Sequence, residues 1–375
     1  MIIGIPRETK PFEFRVGIVP DGVEQLSAHG HQVLIEAGAG EGSGISDDEF
    51  SAAGARIVLE PADVFGRADM IVKVKEPQPQ EYPLLRRGQI IYAIFHFAAS
   101  EELTRAIVGS GVVAVAYETM HTPDGRHPLL TPMSEVAGKM AVQEGAKLLE
   151  RTQKGRGVLL GGVPGVEPGE VMILGGGTVG ANAAKMAAGL GARVTIFDIN
   201  LERLRYLDDT MPRNVTTLFC NTHNLRLRIA SADLLIGAVL VEGARAPVVV
   251  SEDMVRTMKR GAVIVDVAID QGGCIATIHP TTHGEPTYVV HGVVHYGVTN
   301  IPGAVSRTST YALANVTIAH AVLIADSGIE RAVQKSPLVA SGLNIYGGAI
   351  TNRAVADTFG MEFADPSRLI TTAAR

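Results

Sequence analysis

The chain has 375 residues, a formal net charge of -6 and 46% hydrophobic residues, with no tryptophan. This length favours two domains with separate cores, and the composition argues against a disordered or fibrous chain. The negative charge, without any block of lysine or arginine, disfavours nucleic acid and an anionic membrane as partners, and no apolar run approaches the length of a membrane span.

Short apolar runs recur along the chain, separated by stretches long enough for helices. The predicted strands cover residues 71–74, 90–95, 112–116, 171–174, 193–197, 232–238 and 262–267. Strands that alternate with helices indicate a parallel sheet, because each parallel connection needs a crossover. The predicted fold class is therefore α/β, with two doubly wound Rossmann-like domains that have parallel sheets and are separated by a cleft.

Two positions are candidate domain boundaries. A helix predicted over residues 134–151 precedes the Gly- and Pro-rich stretch 155–169, which leads into a strongly apolar strand. Beyond residue 303 helical periodicity returns without a strand pattern, so we expect the C-terminal tail to add no sheet of its own and to pack on the first domain. The predicted domains are residues 1–130 plus 304–375 and residues 131–303.

The central domain contains a glycine pattern typical of dinucleotide-binding proteins. Gly175, Gly177 and Gly180 follow a predicted strand and precede an Ala-rich predicted helix. They would allow a tight turn, a close approach of the backbone to a pyrophosphate, and close packing of the helix on the strand. Asp198 ends the next strand, where an acid accepts hydrogen bonds from a ribose. This acid favours NAD over NADP, although Arg203 lies nearby.

Further candidates to line a nicotinamide come after later strands of the same domain, because open α/β sheets bind ligands at the carboxyl ends of their strands. They are Val239, Leu240, Val267, Ala268, Ile269, Asp270, Val298, Thr299, Asn300 and Ile301. For each of these residues alone, simple packing at a strand end explains the pattern nearly as well.

The first domain offers three polar residues at the ends of apolar segments: Arg15, Lys75 and His96. Alone, each is more often a solvated charge or a satisfied polar group. Together in one domain they match the needs of amino-acid oxidation by hydride transfer, which are a cationic clamp for a carboxylate and an acid/base group. A guanidinium can hold a carboxylate through two hydrogen bonds.

Eight segments of the chain resemble the alanine dehydrogenase family, and together they are more specific than the glycine pattern. They lie at residues 3–10, 15–17, 33–40, 72–77, 130–138, 174–180, 265–273 and 298–305. The resemblance implies NAD-dependent oxidative deamination of L-alanine to pyruvate and ammonia, with the reverse reductive amination. It also implies a homo-oligomer, typically a hexamer.

The resemblance further implies roles for individual residues. Arg15 and Lys75 would hold the substrate carboxylate and carbonyl, and His96 would be the acid/base at the substrate oxygen. Asp270 would be the second acid/base candidate. The implied NAD contacts add Ser134, Thr178, Val179, Cys220 and His279 to the residues given above. Cys220 and His279 stand where related sequences lead us to expect a serine and an arginine, on the adenine side.

Three other functions are compatible with part of this pattern. The nearest is the NAD(H)-binding subunit of proton-translocating transhydrogenase, which passes hydride to another subunit and has no use for Arg15, Lys75 and His96 together. Lysine-forming saccharopine dehydrogenases share the chemistry but act on a larger substrate. A catalytically inactive NAD-binding regulator would have no reason to keep the three polar residues.

The remaining chemistry-bearing residues predict little. The 11 histidines are scattered and no HExxH spacing occurs, so we expect no metal site. Cys220 and Cys274 show neither CxxC spacing nor a disulfide framework. This cysteine usage, with the start of the sequence lacking the pattern of a signal peptide, favours the cytoplasm.

Overall fold

A computed structural model of the chain describes residues 1–239 and 246–373. These residues form two compact units. Unit 1 contains Met1–Met133 and Gly303–Arg375, so it is assembled from both ends of the sequence. Unit 2 is the continuous stretch Ser134–Pro302.

Strands and helices alternate through most of both units. The strands are β1 (Ile2–Ile5), β2 (Gln32–Glu36), β3 (Arg56–Val58), β4 (Met70–Val72), β5 (Ile90–Ala93), β6 (Val113–Ala116), β7 (Glu170–Leu174), β8 (Arg193–Asp198), β9 (Val215–Phe219), β10 (Leu234–Gly237), β11 (Val263–Asp266), β12 (Thr287–Val290), β13 (Val293–Tyr296), β14 (Leu343–Tyr346) and β15 (Ala349–Ile350). The α-helices are α1 (Pro20–Ala28), α2 (Asp47–Ala52), α3 (Pro61–Arg67), α4 (Glu101–Ser110), α5 (Thr131–Leu148), α6 (Thr178–Gly189), α7 (Leu201–Thr210), α8 (Thr222–Ile229), α9 (Glu252–Arg256), α10 (Ser306–Ser327), α11 (Ile329–Lys335), α12 (Pro337–Gly342), α13 (Arg353–Phe359) and α14 (Pro366–Ala373).

The sheet of unit 1 has eight strands in the order β15-β14-β6-β5-β4-β1-β2-β3. The six strands from β6 to β3 are parallel, and their order is that of a doubly wound Rossmann fold. Every residue of β4, β5 and β6 is buried, as expected for parallel strands covered on both faces. The predicted α/β class is confirmed in this unit.

The C-terminal tail does contribute strands, which corrects the expectation that it would add none. β14 pairs antiparallel with β6, and β15 pairs antiparallel with β14. Only Leu343 and Ile345 give β14 an apolar face, so the strand is too short to show in a sequence pattern. The intervening Asn344 is buried and donates to Thr119 Oγ1 and to the Gly342 carbonyl.

One helix has the length and apolarity of a membrane span. Residues Ile301–Ser327 form a 27-residue helical stretch that contains an 18-residue window with a mean hydropathy of 1.3, and 44% of this window is buried. The expectation that no apolar run approaches the length of a membrane span is therefore wrong when length and composition alone are considered. Within unit 1, α10 packs on α1 and α11, and Tyr92 Oη donates to the Thr317 carbonyl. Such packing is typical of the core helix of a globular unit.

The sheet of unit 2 repeats the same arrangement. Its order is β12-β13-β11-β10-β7-β8-β9, and all neighbouring pairs except β12 with β13 are parallel. The order from β9 to β13 is again that of a doubly wound Rossmann fold. The seven strands predicted from the sequence correspond to β4–β8, β10 and β11.

Candidate functional site

The site candidates of unit 1 follow the strands at its topological switch point. β1 and β4 are neighbours in the sheet, and the connections that follow them leave in opposite directions along the strand order. Arg15 lies in the segment after β1, Lys75 three residues after β4, and His96 three residues after β5. Ligands of doubly wound folds bind at this edge, outside the carboxyl ends of the strands.

Arg15 is fixed by a buried carboxylate. Its Nε and Nη2 donate to the two oxygens of Glu13, each at 2.6 Å, and its Nη1 lies 3.2 Å from Met133 Sδ. Both charged side chains are essentially fully buried. The fork of the guanidinium, which we expected to bind a substrate carboxylate, is thus occupied by Glu13 on its Nε side.

Two lysines at the end of β4 have opposite environments. Lys73 is fully buried, and its Nζ lies 3.2 Å from Glu8 Oε2 and 2.9 Å from Glu81 Oε1. Burial disfavours its ammonium, but these carboxylates outweigh burial and raise the pKa of Lys73. Lys75 has no side-chain hydrogen bond or ion pair in the described ranges 1–239 and 246–373. Burial, and then the charges of Arg15 and Lys10, lower the pKa of Lys75.

His96 begins a short 3-10 turn and adopts a left-handed conformation, with φ 53° and ψ 44°. Its N–H donates to Glu118 Oε1 at 2.6 Å, and Phe95 N–H donates to the same carboxylate. Desolvation, and then the charges of Lys75 and Lys10, lower the pKa of His96 below its ordinary value of 6.5. The imidazole is therefore neutral at pH 7.

The electrostatic effects connect the three predicted residues. The charge of Arg15 acts on Lys75, and the charge of Lys75 acts on His96. Their segments are far apart in the sequence. They meet at one edge of the unit 1 sheet because each follows the carboxyl end of one of the neighbouring parallel strands β1, β4 and β5. A neutral imidazole beside a buried ammonium can accept a proton while the ammonium stabilises negative charge on an oxygen.

The glycine turn of unit 2 has the geometry that a dinucleotide requires. Gly175 has φ 98°, and a Cβ there would lie 2.5 Å from the Ala238 carbonyl oxygen. A Cβ on Gly180 would lie 1.8 Å from the Gly175 carbonyl oxygen, which explains the need for glycine at the start of α6. A Cβ on Gly177 would meet nothing within 4 Å. The backbone at Gly177 is therefore open at the N-terminus of α6, the position at which dinucleotide-binding folds hold a pyrophosphate.

Asp198 lies at the carboxyl end of β8 and is tied to the same turn. Its Oδ2 accepts from Gly176 N–H at 2.7 Å, and its Oδ1 accepts from Asn200 N–H at 2.8 Å. Arg203 Nε donates to the Gly176 carbonyl at 2.5 Å, and its guanidinium lies 4.9 Å from the Tyr206 ring centre. Both side chains are thus held against the glycine turn.

The segment Val267–Gln271 is a short 3-10 helix after β11 that carries the candidates Val267, Ala268, Ile269 and Asp270. Buried Asp266 fixes both ends of this region, because its carboxylate accepts from the N–H groups of Ala268 and Cys274. The Asp270 side chain is exposed. Residues after β10 include Val239, which is half-buried, while Leu240 lies outside the described residues.

The remaining cofactor candidates occupy several strand ends and helices of unit 2. Cys220 follows β9, is half-buried, and donates its N–H to the Asp198 carbonyl. The ring of His279 stacks on Tyr288 with centroids 3.7 Å apart. Asn300 has φ 60°, and its carbonyl lies 3.2 Å from His283 Nε2. Thr178 and Val179 start α6, Ser134 lies in α5, and Val298, Thr299 and Ile301 follow β13.

Sequence reasoning did not identify the carboxylates that support these residues. Glu13 and Glu118 lie beside candidates of unit 1, and Asp266 lies beside candidates of unit 2. Glu118 follows β6 as His96 follows β5. A search for polar residues just after predicted strands would therefore have identified it. Nothing in the sequence marks Glu13 or Asp266 as a partner of main-chain N–H groups.

Two family profiles cover most of the chain. The profile described as "Alanine dehydrogenase/PNT, N-terminal domain" matches residues 4–137, and "Alanine dehydrogenase/PNT, C-terminal domain" matches residues 141–353. The alanine dehydrogenase of Methanococcus maripaludis is 52% identical over 371 residues, which is 99% of this chain and 100% of that protein.

Solved structures give the same similarity. An L-alanine dehydrogenase superposes with a TM-score of 0.94 at 51% identity, covering 96% of this chain and 99% of the other. The transhydrogenase from Sinorhizobium meliloti gives a TM-score of 0.81 at 27% identity, covering 94% and 100%. Similarity in sequence and structure is therefore much higher to the alanine dehydrogenase than to the transhydrogenase.

Proposed function

Because the chain belongs to the alanine dehydrogenase/PNT family, we propose that it catalyses the NAD-dependent oxidative deamination of L-alanine to pyruvate and ammonia, and the reverse reductive amination. It is an amino-acid dehydrogenase and thus an oxidoreductase. One observation carries the proposal beyond family membership: Arg15, Lys75 and His96 lie in the segments that follow β1, β4 and β5 of one sheet, and doubly wound folds bind ligands at the carboxyl ends of such strands.

The two predicted domains have different tasks in this proposal. Residues 1–130 plus 304–375 form the substrate/catalytic domain, and residues 131–303 form the NAD-binding Rossmann domain. The buried charges after β1 and β4 support the first assignment. The glycine turn with Asp198 supports the second.

Lys75 is the principal contact for the substrate's oxygens. Arg15 is already neutralised by Glu13, so it contributes as a fixed donor group. The ammonium of Lys75 is buried and has no carboxylate against its Nζ in the part of the chain described. A carboxylate or carbonyl oxygen of the substrate supplies the interaction that Lys75 lacks in the protein.

His96 acts as the acid/base group. The substrate binds with its amino group deprotonated. When bound, NAD supplies the nicotinamide that accepts the hydride from the substrate Cα, which leaves an iminium ion. His96 takes a proton from the water that adds to the iminium carbon and passes it to the nitrogen. Ammonia then leaves as the new hydroxyl gives its proton to His96 and becomes the carbonyl of pyruvate, and Lys75 stabilises that oxygen. The lowered pKa of His96 keeps it neutral for this step. Asp270 is the second acid/base candidate, in unit 2.

The proposed cofactor is NAD rather than NADP. Asp198 presents its carboxylate at the end of β8, held by two main-chain N–H groups, where a 2′-phosphate would add negative charge beside it. The proposed contacts also include Gly175, Gly177, Thr178, Gly180, Arg203 and the residues after β10, β11 and β13 given above. Exchanging Asp198 for Ala is expected to reduce the ratio of kcat/KM for NAD over NADP, measured from the absorbance of the reduced nicotinamide.

The proposed assembly and location follow from the family. We propose a homo-oligomer, a hexamer by resemblance, in the cytoplasm, acting on small molecules without a nucleic acid or membrane partner. The negative net charge supports the absence of nucleic acid and anionic membranes as partners. Light scattering of the purified chain measures the oligomer number directly, and a monomer would refute the hexamer.

The absorbance of reduced nicotinamide tests the function. The purified chain is mixed with NAD or NADP and with a panel of amino acids that includes alanine, glycine and lysine. We expect absorbance to grow with alanine and NAD. In a separate assay without any amino acid, hydride transfer from NADH to an oxidised nicotinamide analogue whose reduced form absorbs at a different wavelength would instead indicate a transhydrogenase-like exchange. No signal under any condition would indicate an inactive nucleotide-binding protein.

A further inference from the structure

The three substrate-site candidates of unit 1 share a form of support. Each donates its main-chain N–H to a glutamate: Arg15 to Glu13 at 3.1 Å, Lys75 to Glu8 at 3.3 Å, and His96 to Glu118 at 2.6 Å. The first two glutamates also form ion pairs with buried cations, Glu13 with Arg15 and Glu8 with Lys73. Glu118 has no ion pair within 4.0 Å in the described chain, so ion pairing does not account for its position.

The Glu118 carboxylate accepts hydrogen bonds from the main-chain N–H groups of two consecutive residues, Phe95 and His96. Phe95 N–H lies 3.1 Å from Oε1 and 3.3 Å from Oε2, and His96 N–H lies 2.6 Å from Oε1. Hydrogen bonds to a charged acceptor are about twice as strong as neutral ones. The carboxylate therefore fixes the direction in which the chain leaves β5.

The conformation of His96 requires such an anchor. With φ 53° it is one of a few described non-glycine residues in the left-handed region, which L-residues rarely adopt. This conformation is unfavourable and persists only when surrounding contacts enforce it. The contacts at hand are the Glu118 carboxylate and the turn closed by Ala99 N–H on the His96 carbonyl.

We propose that Glu118 is the positioning residue for His96: its carboxylate holds residues 95 and 96 in the left-handed turn that presents the imidazole to the substrate. This inference rests on the proposed acid/base role of His96. Glu118 acts through the main chain and does not touch the substrate. Its loss therefore slows the chemical step more than it weakens binding, because a misplacement of about 1 Å of a catalytic group reduces the rate about 100-fold.

Three substitutions of Glu118 separate the effect of its hydrogen-bond acceptor from the effect of its negative charge. Glu118→Gln keeps a carbonyl oxygen at the same reach and removes the charge. Glu118→Asp keeps the charge and withdraws the oxygens by one methylene, and Glu118→Ala removes both. The matched control is Glu102→Gln, on the exposed face of α4. Thermal unfolding of each variant is recorded beside the kinetics.

The expected results distinguish positioning from general stabilisation. For the reductive amination of pyruvate, kcat of Glu118→Asp and Glu118→Ala falls about 100-fold, whereas KM for pyruvate and the Kd for NADH change by less than about threefold. Glu118→Gln recovers kcat to within about fivefold of the wild type, the effect of one weakened hydrogen bond. Glu102→Gln behaves like the wild type. If Glu118→Ala does not fold, the comparison of Gln with Asp carries the test.

Several outcomes would overturn the proposal. They are a Gln variant no faster than the Asp variant, an Ala variant that keeps more than about a third of the wild-type kcat, or a rise in KM with unchanged kcat. The wild-type assay with alanine and NAD tests the proposed function separately. If the wild type oxidises another amino acid instead, the same variants are compared on that substrate.

Discussion

The two units have the same strand order but build their candidate sites by different means. In unit 1 the site depends on buried charged side chains: Lys73 lies against two carboxylates, whereas Lys75 has no ion pair within residues 1–239 and 246–373. In unit 2 it depends on the close approach of main-chain segments, such as Gly180 to Gly175. Unit 1 should therefore be sensitive to changes in charge, and unit 2 to the addition of a single carbon atom.

The largest effect is expected at His96. Exchanging His96 for Ala removes the proposed acid/base group, so kcat should fall about 100- to 10,000-fold. The Kd for NADH should stay at the wild-type value, because the proposed nucleotide contacts lie in unit 2. The control His223→Ala changes an exposed histidine of α8 and should leave both values unchanged. Turnover retained in His96→Ala would refute the assigned role.

The paired lysines sharpen the comparison within unit 1. Lys73→Met leaves Glu8 and Glu81 buried without their cation, so the free energy of unfolding should fall by about 3–5 kcal/mol. Lys75→Met removes a buried amino group that forms no ion pair within the described residues and whose charged form burial disfavours, so stability at pH 7 should be equal or higher while turnover is lost. Thermal unfolding and steady-state rates of both variants give the four values.

The pH dependence of stability tests the environment of Lys75. The lowered pKa of Lys75 means that the folded chain binds fewer protons there than the unfolded chain, between the folded pKa and 10.5. In the wild type this group raises stability as pH increases through that window, and Lys75→Met should lose the increase. Identical pH profiles for the two proteins would contradict the proposed environment of Lys75.

The paired glycines test unit 2 in the same way. Gly180→Ala places a Cβ against the Gly175 carbonyl, so the melting temperature should fall, with a cost of about 1–3 kcal/mol. Gly177→Ala meets nothing within 4 Å, so its stability should stay within about 0.5 kcal/mol of the wild type. Its Kd for NAD should nevertheless rise about tenfold, because the added carbon occupies the space proposed for the pyrophosphate. An unchanged Kd, measured by calorimetry, would show that the space in front of Gly177 does not hold the pyrophosphate.

The smallest effect is expected at Cys220. Its side chain is half-buried, and its link to the Asp198 strand end is made by the main-chain N–H. Cys220→Ser keeps this link and the side-chain size, so the Kd for NAD should change by no more than about 0.5 kcal/mol. A larger change would show that the thiol itself contacts the cofactor.

Local patterns in the sequence predicted much of the fold, for definite physical reasons. Seven strands were predictable because parallel strands covered on both faces are continuous apolar runs. β14 was not, because this antiparallel strand of four residues has only two buried apolar side chains, separated by an asparagine. The glycine turn of unit 2 was predictable because its glycines and Asp198 lie within one continuous βαβ segment.

The supporting groups of the site were beyond such patterns. The sequence shows Arg15, Lys75 and His96 as polar residues in apolar surroundings, but it does not show that Glu13 occupies the guanidinium or that Lys73 rather than Lys75 is neutralised. These facts depend on which segments meet in three dimensions. The left-handed turn at His96 likewise follows from tertiary contacts and not from its residue type.

The way in which unit 1 is assembled has a consequence for biosynthesis. Its sheet has β6 as an open edge until β14, near the end of the sequence, pairs with it. On the ribosome, the continuous unit 2 can therefore finish folding while the first 133 residues still await their last strand and helices. Premature termination after residue 302 would give a fragment that contains all of unit 2 but leaves the edge of β6 exposed. Such fragments are expected to be prone to aggregation.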